Sequence, residues 1–167
     1  MSNTRSTTSS DLAVHHAPVQ TTAFVVGIAF LLVGVLGFVP GITTGYDSLG
    51  WAGPDSTAML FGVFQVSILH NLVHLAFGVL GVLMSRRASA AKAYLLAGGV
   101  VYLVLWVYGI VVAESSQANF VPLNTADDWL HLGLGLGMVA LGLVMPRRYT
   151  RETAPSGHGS TAGGDIQ

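Results

Sequence analysis

The chain is 167 residues long, and 51% of its residues are hydrophobic while 9% are charged, whereas a soluble domain carries about 25% charged residues. Its formal net charge of -1 provides no basic surface for a run of phosphates, which argues against DNA or RNA as a partner. The absence of cysteine excludes disulfides, thiolate nucleophiles and thiolate metal sites. The composition therefore indicates an integral membrane protein whose main partner is the lipid bilayer.

Four apolar runs follow one another along the chain, each long enough at 1.5 Å per residue to cross a hydrocarbon core of roughly 30 Å. They cover residues 21–39, 58–84, 93–113 and 126–145. Residues 1–20 are rich in Ser and Thr and are predicted to form a disordered cytoplasmic tail, and residues 146–167 a basic and then flexible one. Asp55 or Ser56 before the second run is a predicted helix cap, as is Thr125 with Asp128 before the fourth. The sequence thus predicts an all-α fold, a four-helix transmembrane bundle.

The basic residues predict its orientation. All seven lie in the two tails or in the connection between the second and third spans: Arg5, Arg86, Arg87, Lys92, Arg147, Arg148 and Arg151. Basic residues in short connections are retained in the cytoplasm. We therefore expect a multi-pass protein of the plasma membrane with both termini cytoplasmic, N-in and C-in.

The second and fourth spans share a sequence pattern. Residues 71–78 can be laid over residues 128–135, so that a polar residue precedes a His by three positions and a Gly follows that His by four. Two helical hairpins of the same orientation, related by an axis along the membrane normal, would produce this pattern. The sequence therefore predicts a possible repeat of two parallel hairpins.

Three histidines within the spans are the candidate cofactor-binding residues. His70 and His74 are four residues apart and project from one face of a helix, and His131 lies at a similar depth in the fourth span. Their convergence would suit a haem, a divalent metal or a proton relay. The alternative is that each imidazole is neutral and hydrogen-bonds across helices, for example to the Tyr102 hydroxyl or to Asn71. Both readings stay open.

Two carboxylates complete the predicted polar centre, which comprises Asn71, Tyr102, Asp127 and Asp128. Asp127 and Asp128 precede His131 and could add oxygen ligands to a metal site, although their position also suits the positive end of a helix dipole. A zinc motif is matched only loosely, because Asn71 stands where such a motif has Glu beside its first His. No metal ligand is assigned.

Three segments carry a family resemblance. Residues 38–44 (FVPGITT), 65–75 (QVSILHNLVHL) and 119–131 (NFVPLNTADDWLH) resemble a four-helix membrane family of high-GC Gram-positive bacteria known only as a domain of unknown function. The likeness extends over about residues 21–145. It implies the fold and the membrane location but no activity. It singles out seven polar residues without giving them roles: His70, Asn71, His74, Asn124, Asp127, Asp128 and His131.

The chain contains no nucleophile and base pair and no phosphate-binding loop, so we predict no catalytic residue and favour a function that is not enzymatic. The leading hypothesis is a structural or accessory membrane subunit, whose glycine-lined helices pack with a second copy or with another membrane protein. A haem or metal carrier in electron or ion transfer is one alternative. A small transporter is another, and it predicts a cavity between the second and fourth spans.

Overall fold

A computed structural model describes residues 17–147, so nearly all of the two predicted tails, with Arg5, Arg148 and Arg151, lies outside the described residues. Within that range the protein is mostly helical. It has four α-helices, α1 (Pro18–Leu36), α2 (Ile68–Met84), α3 (Ala88–Val111) and α4 (Thr125–Val144). Helices α1, α3 and α4 are long and apolar enough to cross a membrane, and α2 is apolar but shorter, with 17 residues.

The start of each hairpin's second helix is fixed by a polar side chain. Ser67 is the N-cap of α2, and its Oγ accepts a hydrogen bond from the backbone N–H of His70 at 3.1 Å. At α4 the cap is Asn124, whose Oδ1 accepts from the N–H of Asp127 while Asp127 Oδ2 accepts from the N–H of Asn124. This reciprocal pair is a capping box. The predicted caps before both helices are therefore wrong, by one residue at α4 and by more than ten at α2.

The largest difference from the sequence prediction lies before α2. Residues 58–67 were expected to be helical, but they contain strands β2 (Met59–Leu60) and β3 (Phe64–Gln65), which form an antiparallel sheet with β1 (Thr43–Thr44) in the order β1-β2-β3. The turn between β2 and β3 has positive φ at Phe61 (55°) and Gly62 (70°), a conformation that a helix cannot contain. Hydrophobicity alone does not separate a buried strand from a helix.

The helices pack in sequential pairs, α1 against α2 and α3 against α4, and α1 also contacts α3. Glycine makes these contacts close. A Cβ on Gly27 of α1 would lie 2.8 Å from the backbone N of Val82, and a Cβ on Gly99 of α3 would lie 2.9 Å from the backbone N of Val139. Small residues that let two backbones approach are typical of helix packing within membranes.

The outward faces of these pairs are apolar. Leu32 on α1, Val104 on α3 and Leu143 on α4 expose 57%, 62% and 62% of their surfaces. An extended apolar surface of this kind is unfavourable in water and compatible with contact to lipid. The small sheet and the connection between α3 and α4 lie at the same end of the molecule, because Asn124 Nδ2 donates to the carbonyl of Val63 at 2.9 Å.

Candidate functional site

The structure brings the three candidate histidines together. The rings of His70 and His74 on α2 stack with their centroids 4.6 Å apart and 24° between their planes, and the ring of His131 on α4 lies 6.4 Å from that of His70. All three side chains are buried, with exposed fractions of 5%, 8% and 3% for His70, His74 and His131. Their spacing on the helices thus places them in one cluster, which we call the imidazole cluster.

Each imidazole of this cluster has a nitrogen without a protein partner. The Nδ1 atoms of His70, His74 and His131 are buried and make no hydrogen bond to any of residues 17–147. Leaving a buried polar atom unpaired costs about 1–3 kcal/mol, and natural proteins contain few such atoms. The imidazole cluster therefore has unused hydrogen-bonding capacity.

Aromatic side chains from α1 and α3 surround the imidazole cluster. The Phe30 ring stacks on that of His74 at 5.7 Å and on that of Tyr102 at 5.3 Å, while the Tyr102 ring lies 5.2 Å from that of His131. Tyr102 therefore contacts the imidazole cluster through its ring. These contacts pack aromatic rings against His74 and His131.

Asp127 connects the imidazole cluster to the small sheet. Its side chain is 2% exposed, and its Oδ2 accepts from the backbone N–H of Gln65 in β3 at 3.0 Å and from that of Asn124 at 3.1 Å. The carboxylate thus caps α4 and holds β3 against the start of that helix. The sequence predicted a carboxylate at the start of α4, but it assigned the cap to Thr125 with Asp128 and did not predict the bond to Gln65, which joins residues distant in the chain.

The other two members of the predicted polar centre lie elsewhere. The side chain of Asn71 is completely buried against Gly37 at the end of α1, and that of Asp128 lies against Gly109 near the end of α3. Neither Asn71 nor Asp128 lines the cavity that adjoins the imidazole cluster between α1 and α4. The polar centre is thus divided: Asp127 and Tyr102 adjoin the imidazole cluster, whereas Asn71 and Asp128 contact the preceding helix of their own hairpin.

A cavity of about 380 Å³ extends from the imidazole cluster between α1 and α4. The small sheet closes one end of it with Leu60, Phe64 and Val66, and Asp127 lies beside the histidines there. The remaining walls are apolar, and their residues lie on one face of each helix: Val26, Ala29, Phe30 and Val33 on α1, and Leu130, Gly133, Leu134, Gly137, Met138 and Leu141 on α4. The site therefore has one polar end and a long apolar body.

Sequence reasoning did not find Gly133 and Gly137 as part of this site. A Cβ on either glycine would meet no atom within 4 Å, so neither is required for helix packing, unlike Gly135 between them. The only signal in the sequence is their spacing of four residues on the face that also carries Leu130 and Leu141. That signal acquires a meaning only when the opposite wall is known.

The geometry does not assemble a metal site. No group of three or more His, Asp or Glu side chains within residues 17–147 is placed to hold a metal ion. The stacked rings of His70 and His74 present their faces to each other, whereas metal ligands direct their nitrogen lone pairs at one point. The arrangement is better suited to hydrogen bonding with a molecule in the cavity.

Comparison with known proteins identifies the family. Residues 20–144 match the model of the family described as Domain of unknown function (DUF4383), and the chain belongs to this family. No curated protein and no solved structure matches the chain. The family brings no activity, so a function has to be argued from the site.

Proposed function

We propose that the protein crosses the plasma membrane four times, with both termini in the cytoplasm, and binds a small, largely apolar molecule in the cavity between α1 and α4. The support for the topology is the basic connection between α2 and α3, which carries Arg86 and Arg87, together with Lys92 near the start of α3. Neither of the other two connections contains Lys or Arg. Helix α2 spans about 25 Å at 1.5 Å per residue, and the sheet before it lies at the outer end.

The proposal includes a repeat of two parallel hairpins, supported by equivalent contacts. The same difference in residue number relates Gly27 of α1 to Gly99 of α3 and Leu31 of α1 to Leu103 of α3. A second difference relates Gly78 of α2 to Gly135 of α4. A Cβ on Gly78 would lie 2.7 Å from both Leu31 Cγ and the Leu31 backbone N, and a Cβ on Gly135 would lie 2.8 Å from Leu103 Cγ and 3.0 Å from the Leu103 N.

The same offsets extend this correspondence to the polar residues. They relate the contact of Asn71 with Gly37 to that of Asp128 with Gly109. The two hairpins therefore use matching residues for matching contacts at several points, which favours a common architecture over a chance likeness of short motifs.

The observation that carries the binding function is the coincidence of the cavity with the imidazole cluster. A subunit that only packs against partners would be expected to close such a space, because protein interiors are packed to the density of organic crystals. Ligand sites are instead concave and mostly apolar, with a few converging polar groups. The cavity has these properties, so ligand binding explains it better than a purely structural role does.

Binding is tested by native mass spectrometry of protein purified from membranes in a mild detergent. We expect an adduct of a single small molecule on the wild-type protein and on Ala140→Leu, which adds bulk to an exposed position of α4 outside the cavity. Gly137→Leu, which adds the same side chain inside the cavity, should lose the adduct. A wild-type protein without any adduct, or equal adducts on both variants, would refute the proposal.

The same preparation distinguishes the haem alternative, since bound haem would absorb in the visible region and the His70→Ala variant would lose that absorbance. A colourless adduct supports the proposal as stated, and a haem spectrum replaces it with electron transfer.

The topology is tested by two matched cysteine variants in a chain that has no cysteine of its own. Ser115→Cys, in the connection between α3 and α4, should react in intact cells with a maleimide that does not cross the membrane. Ser89→Cys, at the start of α3, should react only after the cells are broken. The reverse pattern would contradict the N-in and C-in orientation.

A further inference from the structure

The cavity has an opening along its side, between α1 and α4. Ala29 on α1 and Leu130 and Gly133 on α4 line it and are also exposed at the molecular surface. Because Gly133 and Gly137 have open space where a side chain would stand, the gap continues along about one turn of α4. In the proposed topology this opening faces the acyl chains of the bilayer, and we call it the lateral opening.

The lateral opening comes from a difference between the two hairpins. The counterparts of Gly133 and Gly137 in α2 are Ala76 and Leu80, under the offset that relates His74 to His131. The second hairpin therefore has less side-chain volume at these two positions. Both glycines line the cavity, so the missing side-chain volume lies along its wall.

The space corresponding to the cavity in the other hairpin is filled. Phe77, the counterpart of Leu134, packs its ring 5.0 Å from those of Phe30 and Tyr94. A Cβ on Gly98 of α3 would lie 2.6 Å from Phe77 Cζ, whereas Val26, the counterpart of Gly98 in α1, lines the cavity. A packing shared by both hairpins would have produced two filled spaces or two cavities. The asymmetry points to a cavity with its own role.

The polar end of the cavity determines which head group fits. The lining residues include three imidazoles and one carboxylate but no Lys or Arg, so an anionic head would have no cation to pair with. Asp127 Oδ2 already accepts two backbone N–H groups. A charged group without a partner is very costly in such apolar surroundings, whereas a group that donates and accepts hydrogen bonds can use the free imidazole nitrogens.

We propose that the ligand is a single-chain amphiphile of the surrounding membrane, with an uncharged hydroxyl or amide head at the imidazole cluster and an alkyl chain that runs along Gly133 and Gly137 to the lateral opening. This inference rests on the proposed binding function. Between His131 and Leu141 the cavity follows α4 over about 15 Å, which accommodates an extended chain and leaves a longer chain free to continue into the bilayer.

The head-group preference is tested with oleyl alcohol, oleate and oleylamine, which share one chain, added to delipidated full-length protein in detergent. We expect one oleyl alcohol to bind per protein, with the two charged probes weaker by roughly tenfold or more. Gly137→Leu should lose this binding, and Ala140→Leu should keep it. Binding of oleate or oleylamine as tight as that of oleyl alcohol would overturn the inference and leave the proposed function standing.

The lateral opening is tested by a spin label on Gly133→Cys in proteoliposomes, with Ala140→Cys as the control. Before any probe is added, the label at residue 133 should be accessible to oxygen and protected from a water-soluble nickel chelate. Oleyl alcohol should then slow the motion of the spin label at residue 133 and leave the motion of the label at residue 140 unchanged. Strong accessibility to the nickel chelate, or an equal effect at both positions, would overturn the inference.

If none of the three probes binds, the inference also fails. The adduct on membrane-purified protein then decides separately whether the proposed binding function fails.

Discussion

Two glycines within one turn of α4, Gly133 and Gly135, are predicted to respond in opposite ways to the same substitution. A Cβ on Gly135 would lie 2.8 Å from Leu103 Cγ and 3.0 Å from the Leu103 backbone N, whereas a Cβ on Gly133 would meet nothing within 4 Å. The backbone of Leu103 cannot rotate away, so α3 and α4 have to separate to admit Gly135→Ala. Gly133→Ala requires no movement.

The magnitude follows from two contributions. Replacing Gly by Ala within a helix favours the helix by up to about 1 kcal/mol, and both variants share this gain. Overpacking of a close contact costs about 1–3 kcal/mol, and only Gly135→Ala incurs it. The helix propensity cancels in the difference, so the free energy of unfolding of Gly133→Ala should exceed that of Gly135→Ala by about 1–3 kcal/mol.

The assay is reversible unfolding in mixed micelles of a mild detergent and dodecyl sulfate, followed by circular dichroism, with the wild-type protein as the reference. Gly133→Ala should unfold at the same or a higher fraction of dodecyl sulfate than the wild type, and Gly135→Ala at a lower one. Equal midpoints for the two variants, or a lower midpoint for Gly133→Ala, would show that α4 does not face α3 through Gly135.

Two further predictions use the same unfolding assay. Asp127→Ala should lower the free energy of unfolding by about 1–3 kcal/mol, because two backbone N–H groups lose their acceptor. Asp127→Asn keeps an oxygen at this position and should lower the free energy of unfolding by less. Equal losses of stability in the two variants would contradict this account. Gly37→Ala should lower the free energy of unfolding by more than Gly109→Ala does. The completely buried Asn71 has no room to move away from the new Cβ at residue 37, whereas Asp128 borders a surface groove and can rotate away from the one at residue 109. A greater cost at Gly109 would refute the comparison.

Most of the helical architecture could be predicted from the sequence, because apolar length is a direct signal. The expected spans at residues 21–39 and 126–145 differ from Pro18–Leu36 and Thr125–Val144 by no more than three residues at either end. The third span was expected from residue 93, but α3 begins at Ala88. The basic residue Lys92, which marked the connection, therefore lies within the helix.

The error before α2 has a physical cause. Residues 58–67 are as apolar as a helix, but Ala58 and Leu60 are buried while the side chain of Phe61 is exposed, and the chain reverses at Gly62. Such a short apolar strand is stabilised by its neighbours, here by pairing of Leu60 with Thr43 and by the carboxylate of Asp127. Contacts between residues so distant in the chain leave no local pattern to read.

The candidate site, too, was predicted only in the part that local sequence patterns determine. The convergence of His70, His74 and His131 follows from helical spacing and from depth below the basic connection, both of which are legible in the sequence. The transporter alternative expected a cavity between the second and fourth spans, but its place between α1 and α4 was not predicted, because Gly133 and Gly135 are the same residue type in the same helix. They differ only in that Gly135 faces Leu103 and Gly133 faces open space.

The proposed repeat also explains the composition of the polar end. The offset that relates His74 to His131 relates His70 to Asp127, so each hairpin would contribute a pair of polar residues four positions apart. In the second pair the carboxylate is bound to β3 and to the start of α4. Duplication of a hairpin accounts for four polar residues at the same end of the cavity, but it does not account for a cavity on one side only. Since unpaired buried nitrogens cost about 1–3 kcal/mol each, and an unfilled space forfeits packing as well, a role confined to helix packing would favour side chains at positions 133 and 137, as at the corresponding positions Ala76 and Leu80 of the other hairpin. A ligand that supplies both the missing hydrogen bonds and the missing volume removes both costs at once.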